Sequence, residues 1–222
     1  MGVILTILGL LGKLLVSLLV SAPVVIAGMM LGWSEFVYGS LATQFGLLFF
    51  ALWIMKFDFK YIKSLFVDKL KAKDIRWTLL VGLSLMAANI IFSLLFIKEG
   101  FTSDTTANAL ADGNIVSVFL FPVIIAPFVE ELAFRAGLKK VIVENKGYSK
   151  AFFVIFSSLV FGLLHWQPGT LGPTIIALTT IMGITKSLFY LKTDNILVTI
   201  GGHMIYNGVI MASIAIPQLL MV

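Results

Sequence analysis

Apolar runs long enough to cross a hydrocarbon core follow one another along this chain, with only short polar breaks between them. Crossing such a core takes about 20 apolar residues in a helix, and runs of that order lie near residues 5–31, 33–55, 77–97, 114–138, 150–166, 173–191 and 196–218. The pattern predicts an all-α, polytopic integral membrane protein of about seven transmembrane helices. Seven such helices take roughly 140 positions and leave roughly 80 for connections, too few for a separate soluble domain of ordinary size. Residues 1–222 are therefore read as one membrane domain, with N-terminal helices and a cytoplasmic amphipathic segment over 1–113 and a second helical set over 114–218. Charged residues make up 12% of the chain, where a soluble domain carries about 25%, so each one present calls for an account.

Most of the cations read as topology signals. Lys56, Lys60, Lys63, Lys69, Lys71, Lys73 and Arg76 form one basic connection, Lys139, Lys140, Lys146 and Lys150 surround a second, and Lys186 and Lys192 mark a third. The segment 98–113 between them carries Lys98 beside Glu99, Asp104 and Asp112. The positive-inside rule then puts the N-terminus in the cytoplasm and the C-terminus outside the plasma (inner) membrane. Topology accounts for the net charge of +5 without a nucleic-acid partner. Lys13 raises the question of a cleaved signal, but Ser21-Ala22-Pro23 is a poor cleavage context, and a retained first helix is expected. Aromatic residues are interleaved with mixed charges from Lys56 to Asp74, as in an amphipathic helix on the cytoplasmic leaflet or, alternatively, a solvated loop with some aromatics. The absence of cysteine excludes disulfides, thiol catalysis and thiolate metal sites.

Three late helices carry ionisable groups where a bilayer penalises them. Glu130, Glu131 and Arg135 sit in an otherwise apolar run, at about 2.5 to 3.5 kcal/mol each even on the lenient insertion scale. Glu131 and Arg135 are four apart and share a helical face, so they can neutralise each other. Glu130 points about 100° away and has no partner in its own helix. His165 ends the run Phe161-Gly-Leu-Leu-His165, and His203 and Asn207 are one turn apart in His203-Met-Ile-Tyr-Asn207. Converging in a polar intramembrane cavity, these groups would form an acid/base site with spare hydrogen-bond donors. A carboxylate in low dielectric beside a second carboxylate is also a better base near neutral pH. Read as packing instead, the same groups are interhelical glue.

Glu130-Glu131-Leu-Ala-Phe-Arg135, Phe161-Gly-Leu-Leu-His165 and His203-Met-Ile-Tyr-Asn207 resemble, in order, the E-E-x-x-x-R, F-x-x-x-H and H-x-x-x-N motifs of the CAAX prenyl protease and bacteriocin-processing (CPBP, or Abi) family of intramembrane proteases. The resemblance covers roughly residues 115–215. It implies hydrolysis of a peptide bond by an activated water, in a cavity open toward the cytoplasmic side or the bilayer. Carried onto these positions, Glu130 is the general base, His165 holds the same water, His203 and Asn207 donate to the oxyanion, and Glu131 with Arg135 braces the helix.

Members of the family have been read both as zinc enzymes and as metal-free glutamate proteases. The metal-free form is favoured here, with zinc held by Glu130, His165 and His203 as the alternative. The expected partners are a peptide or lipid-modified protein substrate and membrane lipids, in peptide maturation, bacteriocin processing or self-immunity. A pocket of Phe152, Phe153, Phe156 and Trp166 is a candidate for a lipid tail. Competing readings are a non-catalytic scaffold or immunity protein and a small proton-coupled transporter, the latter weakened by the lack of an internal repeat. One register problem stands out. Glu130 counts roughly 13 Å from Lys139, but His165 roughly 22 Å from Lys150.

Overall fold

The computed structural model describes residues 2–67, 71–96, 119–167, 169 and 171–219, and every regular element among them is a helix. The acidic connection expected over 98–113, and the start of the run at 114, lie outside the described residues. Among the described residues five helical stretches are long and apolar enough to cross a membrane: Gly2–Met30, Val37–Ile54, Lys73–Phe96, Gly172–Thr193 and Ile196–Ile216. The first of them combines α1 (Gly2–Val20) and α2 (Ala22–Met30), and the next is part of α3 (Glu35–Ile54). The two other expected spans differ in kind. One, α7 (Lys150–Leu164), has only 15 residues; the other, α6 (residues 119–145), carries the two carboxylates and the arginine.

Proline and wide turns shape α6. Its segments Leu120–Ile125, Leu132–Gly137 and Lys140–Asn145 are π-helical, a rare geometry that concentrates at functional sites. The Ala126 N–H bonds five residues back to the Phe121 carbonyl. In that register the Pro122 carbonyl would need the N–H of residue 127, a proline that has none. Asn207 Nδ2 of α9 (Ile196–Leu219) donates to the Pro122 oxygen instead, at 2.6 Å.

Small residues bring the site helices together, as is usual where lipid offers no hydrophobic drive between helices. A Cβ on Gly183 of α8 (Gly172–Thr193) would lie 2.9 Å from Ser158 Cα of α7. Gly202 of α9 packs in the same way on Val81 of α5 (Ala72–Phe96). Between the helices Phe50, Phe134, Phe153, Phe161 and Tyr190 are buried.

At the basic end, the amphipathic helix expected from Lys56 to Asp74 shrinks to α4 (Phe59–Ser64), capped by Asp58, which accepts from the Tyr61 N–H at 3.0 Å. Lys56 and Phe57 before it take left-handed φ values of 58° and 53°, which turn the chain back toward the bundle. The Tyr61 ring lies 4.0 Å from Lys140 Nζ, and burial together with Glu144, Asp194 and Asp58 pushes its phenol above the ordinary value, so it stays neutral. Lys139 Nζ donates to Asp194 at 2.7 Å and Asn195 Nδ2 to Asp74 at 3.1 Å, tying α6, α8 and α5 together at this end. Lys13 lies inside α1, 5.4 Å over the Trp53 ring.

Candidate active site

Two adjacent carboxylates on α6 meet opposite surroundings because a helix turns about 100° per residue. Glu131 is fully buried and points at α8 and α9. Its Oε1 accepts from Lys186 Nζ at 2.7 Å and lies 3.1 Å from His203 Nδ1, and its Oε2 lies 3.2 Å from Arg135 Nε. Arg135, also fully buried, donates through Nη2 to the Gly183 carbonyl at 3.3 Å and lies over the Phe161 ring at 4.8 Å. The helical pair Glu131–Arg135 foreseen from spacing is thus real, but it is half of a larger cluster.

Lys186 is the residue that sequence reasoning misassigned. Read as a marker of a cytoplasmic connection, it is 1% exposed and lies in the middle of the bundle, 3.9 Å over the Phe161 ring. Its place inside the predicted run 173–191 was the available signal, since a lysine within an apolar span faces the protein interior and pairs there. Both cations lie against Glu131, the carboxylate next to Glu130. That carboxylate does not act as a bare like charge, because Arg135 and Lys186 together outweigh it. With His203 neutral, Glu131, Arg135 and Lys186 sum to one positive charge, and Glu130, within electrostatic reach of Arg135, Lys186 and His203, brings the group to neutrality.

Glu130 itself faces space. Among the described residues it makes no hydrogen bond or ion pair, and it lines two cavities of about 470 Å³ and 590 Å³. His165 lines both as well. The register problem disappears because α6 continues to Asn145, six residues beyond Lys139. Counted from that end, Glu130 lies roughly 22 Å deep, level with His165. His165 is the C-terminal cap of α7, and its Nδ1 lies 2.7 Å from the Phe161 carbonyl. A carbonyl only accepts, so Nδ1 carries the proton and the neutral ring keeps a bare Nε2.

His203 has a choice of tautomers. Its Nδ1 lies 3.0 Å from Lys186 Nζ and 3.1 Å from Glu131 Oε1. Accepting from the ammonium leaves Nε2–H as a donor, whereas donating to the carboxylate leaves Nε2 bare. Asn207 lines the first cavity with His203, but one of its amide hydrogens is committed to the Pro122 carbonyl. Only the second is left for a ligand.

Glu130, His165, His203 and Asn207 all line the first cavity. Among the described residues no three His, Asp or Glu side chains converge as a metal site. The zinc candidates Glu130, His165 and His203 thus share a cavity without closing into a ligand set, His203 meeting the cluster through Nδ1 with Nε2 left over. Nor do Phe152, Phe153, Phe156 and Trp166 form one pocket. Phe153 and Phe156 are in the core, while Trp166 lines the second cavity.

Both cavities run from Glu130 toward the same end of the bundle. Along α8 the first cavity extends from Lys186 to Thr174, along α9 from His203 to Ile214, and along α5 from Leu85 to Ser93. The second reaches Glu35 and Gly39 at the start of α3. That end is opposite the one held by Lys139, Asp194 and Asp74. The resemblance had implied an opening toward the cytoplasmic side or the bilayer.

Residues 112–209 match the family model described as type II CAAX prenyl endopeptidase Rce1-like. The matched segment contains all three motifs and Lys186. No curated protein and no solved structure matches the chain.

Proposed function

From the match of residues 112–209 to that family model, we propose that this multi-pass membrane protein is an intramembrane endopeptidase that hydrolyses a peptide bond with a water activated by Glu130 and His165. The observation that carries this reading is the contrast between the two glutamates: Glu131 is locked among Arg135, Lys186 and His203, while Glu130 faces the cavities beside His165. The water gives one hydrogen bond to the bare His165 Nε2 and its proton to the Glu130 carboxylate. The resulting hydroxide adds to the carbonyl carbon, and the oxyanion takes hydrogen bonds from His203 Nε2–H and the second amide hydrogen of Asn207. Glu130 then hands its proton to the leaving nitrogen as the C–N bond breaks, giving an acid and an amine. Lys186, by donating to His203 Nδ1, selects the tautomer this needs. No step uses a metal.

The helices number about seven, with the N-terminus in the cytoplasm, around a cavity that is polar where Glu130, His165, His203 and Asn207 meet. The substrate is a peptide or lipid-modified protein, as in bacterial peptide maturation, bacteriocin processing or self-immunity. Replacing Glu130 with Gln tests the reading in purified, folded protein. Loss of peptide cleavage at retained folded yield is expected, and undiminished cleavage would refute the role of Glu130.

A further inference from the structure

The second cavity has a use the mechanism leaves unassigned. It meets the first at Glu130, His165, Gln167 and Ile175, so a chain with its scissile bond at that junction places one flank in each cavity. The first side mixes apolar walls (Leu85, Leu178, Met182, Ile210) with polar ones (Asn89, Thr179) and holds the ammonium of Lys186. On the second the walls include Glu35, Ser40, Thr43, Gln44 and Gln167, and no lysine or arginine among the described lining residues. Glu35 is exposed, in the first turn of α3, and so stands at the mouth of this cavity. Deeper in, Gln44 Oε1 is buried without a hydrogen-bond partner. A carboxylate at the mouth and an unfilled acceptor within both ask for a donor-rich cation.

We propose that the second cavity is a subsite for a basic side chain of the substrate, lysine or arginine, on one flank of the scissile bond, with Glu35 as the residue that selects it. The inference rests on the protease reading above, and it gives substrates a basic residue on one flank of the cut. Since Glu35 is exposed, the selectivity is modest, about three- to fivefold.

The test uses the purified full chain in liposomes and short peptides scanned with Lys, Gln or Glu at each position. Wild-type protein should show kcat/KM about three- to fivefold higher for Lys than for Gln at one position near the cut. In Glu35→Gln that ratio should fall to about one, and Glu35→Lys should prefer the Glu peptide. An unchanged ratio in Glu35→Gln, or no preference in wild type, overturns the subsite. If wild type cleaves no peptide, the protease reading fails, and binding of the same peptides decides the subsite alone. A preference for Lys over Glu peptides that vanishes in Glu35→Gln supports it; equal binding of all three overturns it.

Discussion

Replacing Lys186 with Met would separate the two things this lysine does. Its ammonium lies 2.7 Å from Glu131 Oε1 with both side chains buried. At an effective dielectric of about 20 that contact is worth about 6 kcal/mol of Coulomb attraction before desolvation. Deleting one partner of such a pair costs about 3 to 5 kcal/mol, and the lower end applies because Arg135 and His203 remain on the carboxylate. The expected loss of stability is therefore about 3 kcal/mol, read from chemical or thermal unfolding in detergent. The catalytic consequence is separate. Without Lys186, His203 Nδ1 turns its proton to Glu131 and Nε2 loses its hydrogen, which removes one oxyanion donor and about 100- to 1,000-fold in kcat. The variant also leaves Glu130, Glu131 and Arg135 with one net negative charge. Protonation of His203 then both neutralises the group and restores Nε2–H, so activity should return as the pH falls from about 8 to 6. Lys186→Gln keeps an N–H for Nδ1 without the charge and should retain more kcat than Lys186→Met at neutral pH. A folded Lys186→Met with wild-type kcat across this range, or equal kcat in the Gln and Met variants, would refute the tautomer argument.

Other expectations follow from the packing. Gly183→Val should push α7 and α8 apart, because even a Cβ there meets Ser158 Cα at 2.9 Å; a cost of about 1 to 3 kcal/mol should appear as a lower melting temperature. Asn207→Ala leaves the Pro122 carbonyl without its donor, which should cost about 1 to 3 kcal/mol in unfolding and also lower kcat. Chelators should leave cleavage unchanged, and a fall in activity that stoichiometric zinc restores would overturn the metal-free mechanism. Because the chain has no cysteine, single cysteines at Thr43, on the second cavity, and at Lys71, at the basic end, can be labelled with a membrane-impermeant maleimide. They should react from opposite sides, Thr43→Cys from outside intact cells, and labelling of both from one side would contradict the opening described.

How much was legible before the fold depends on the range of the physics involved. Helical periodicity is local, so the facing of Glu131 and Arg135, the divergence of Glu130 and the shared face of His203 and Asn207 could all be read from spacing. The bilayer made the rest of the reading strict: in a chain this poor in charge, ionisable groups on apolar helices had to be paired or functional. Depth was harder. Lys139 looked like the end of a span, and only the continuation of α6 to Asn145 brought Glu130 level with His165. Asn207 showed its donors in the sequence but not their recipient, which is a carbonyl left bare by a proline in another helix.

Lys186 shows the limit most clearly. A lysine near a helix end and a lysine inside a buried cluster have the same letter, and counting charges by segment assigned it to topology. What decided its role was the close approach of α7 and α8 at Ser158 and Gly183, together with the inward turn of Glu131 on α6. The sequence by itself determined the helices, their apolar faces and the motif residues, because those follow from neighbours within a turn or two. Only the tertiary structure decided which carboxylate is neutralised, which faces the cavities, and where those cavities lead, because burial and pairing depend on residues far apart in the chain.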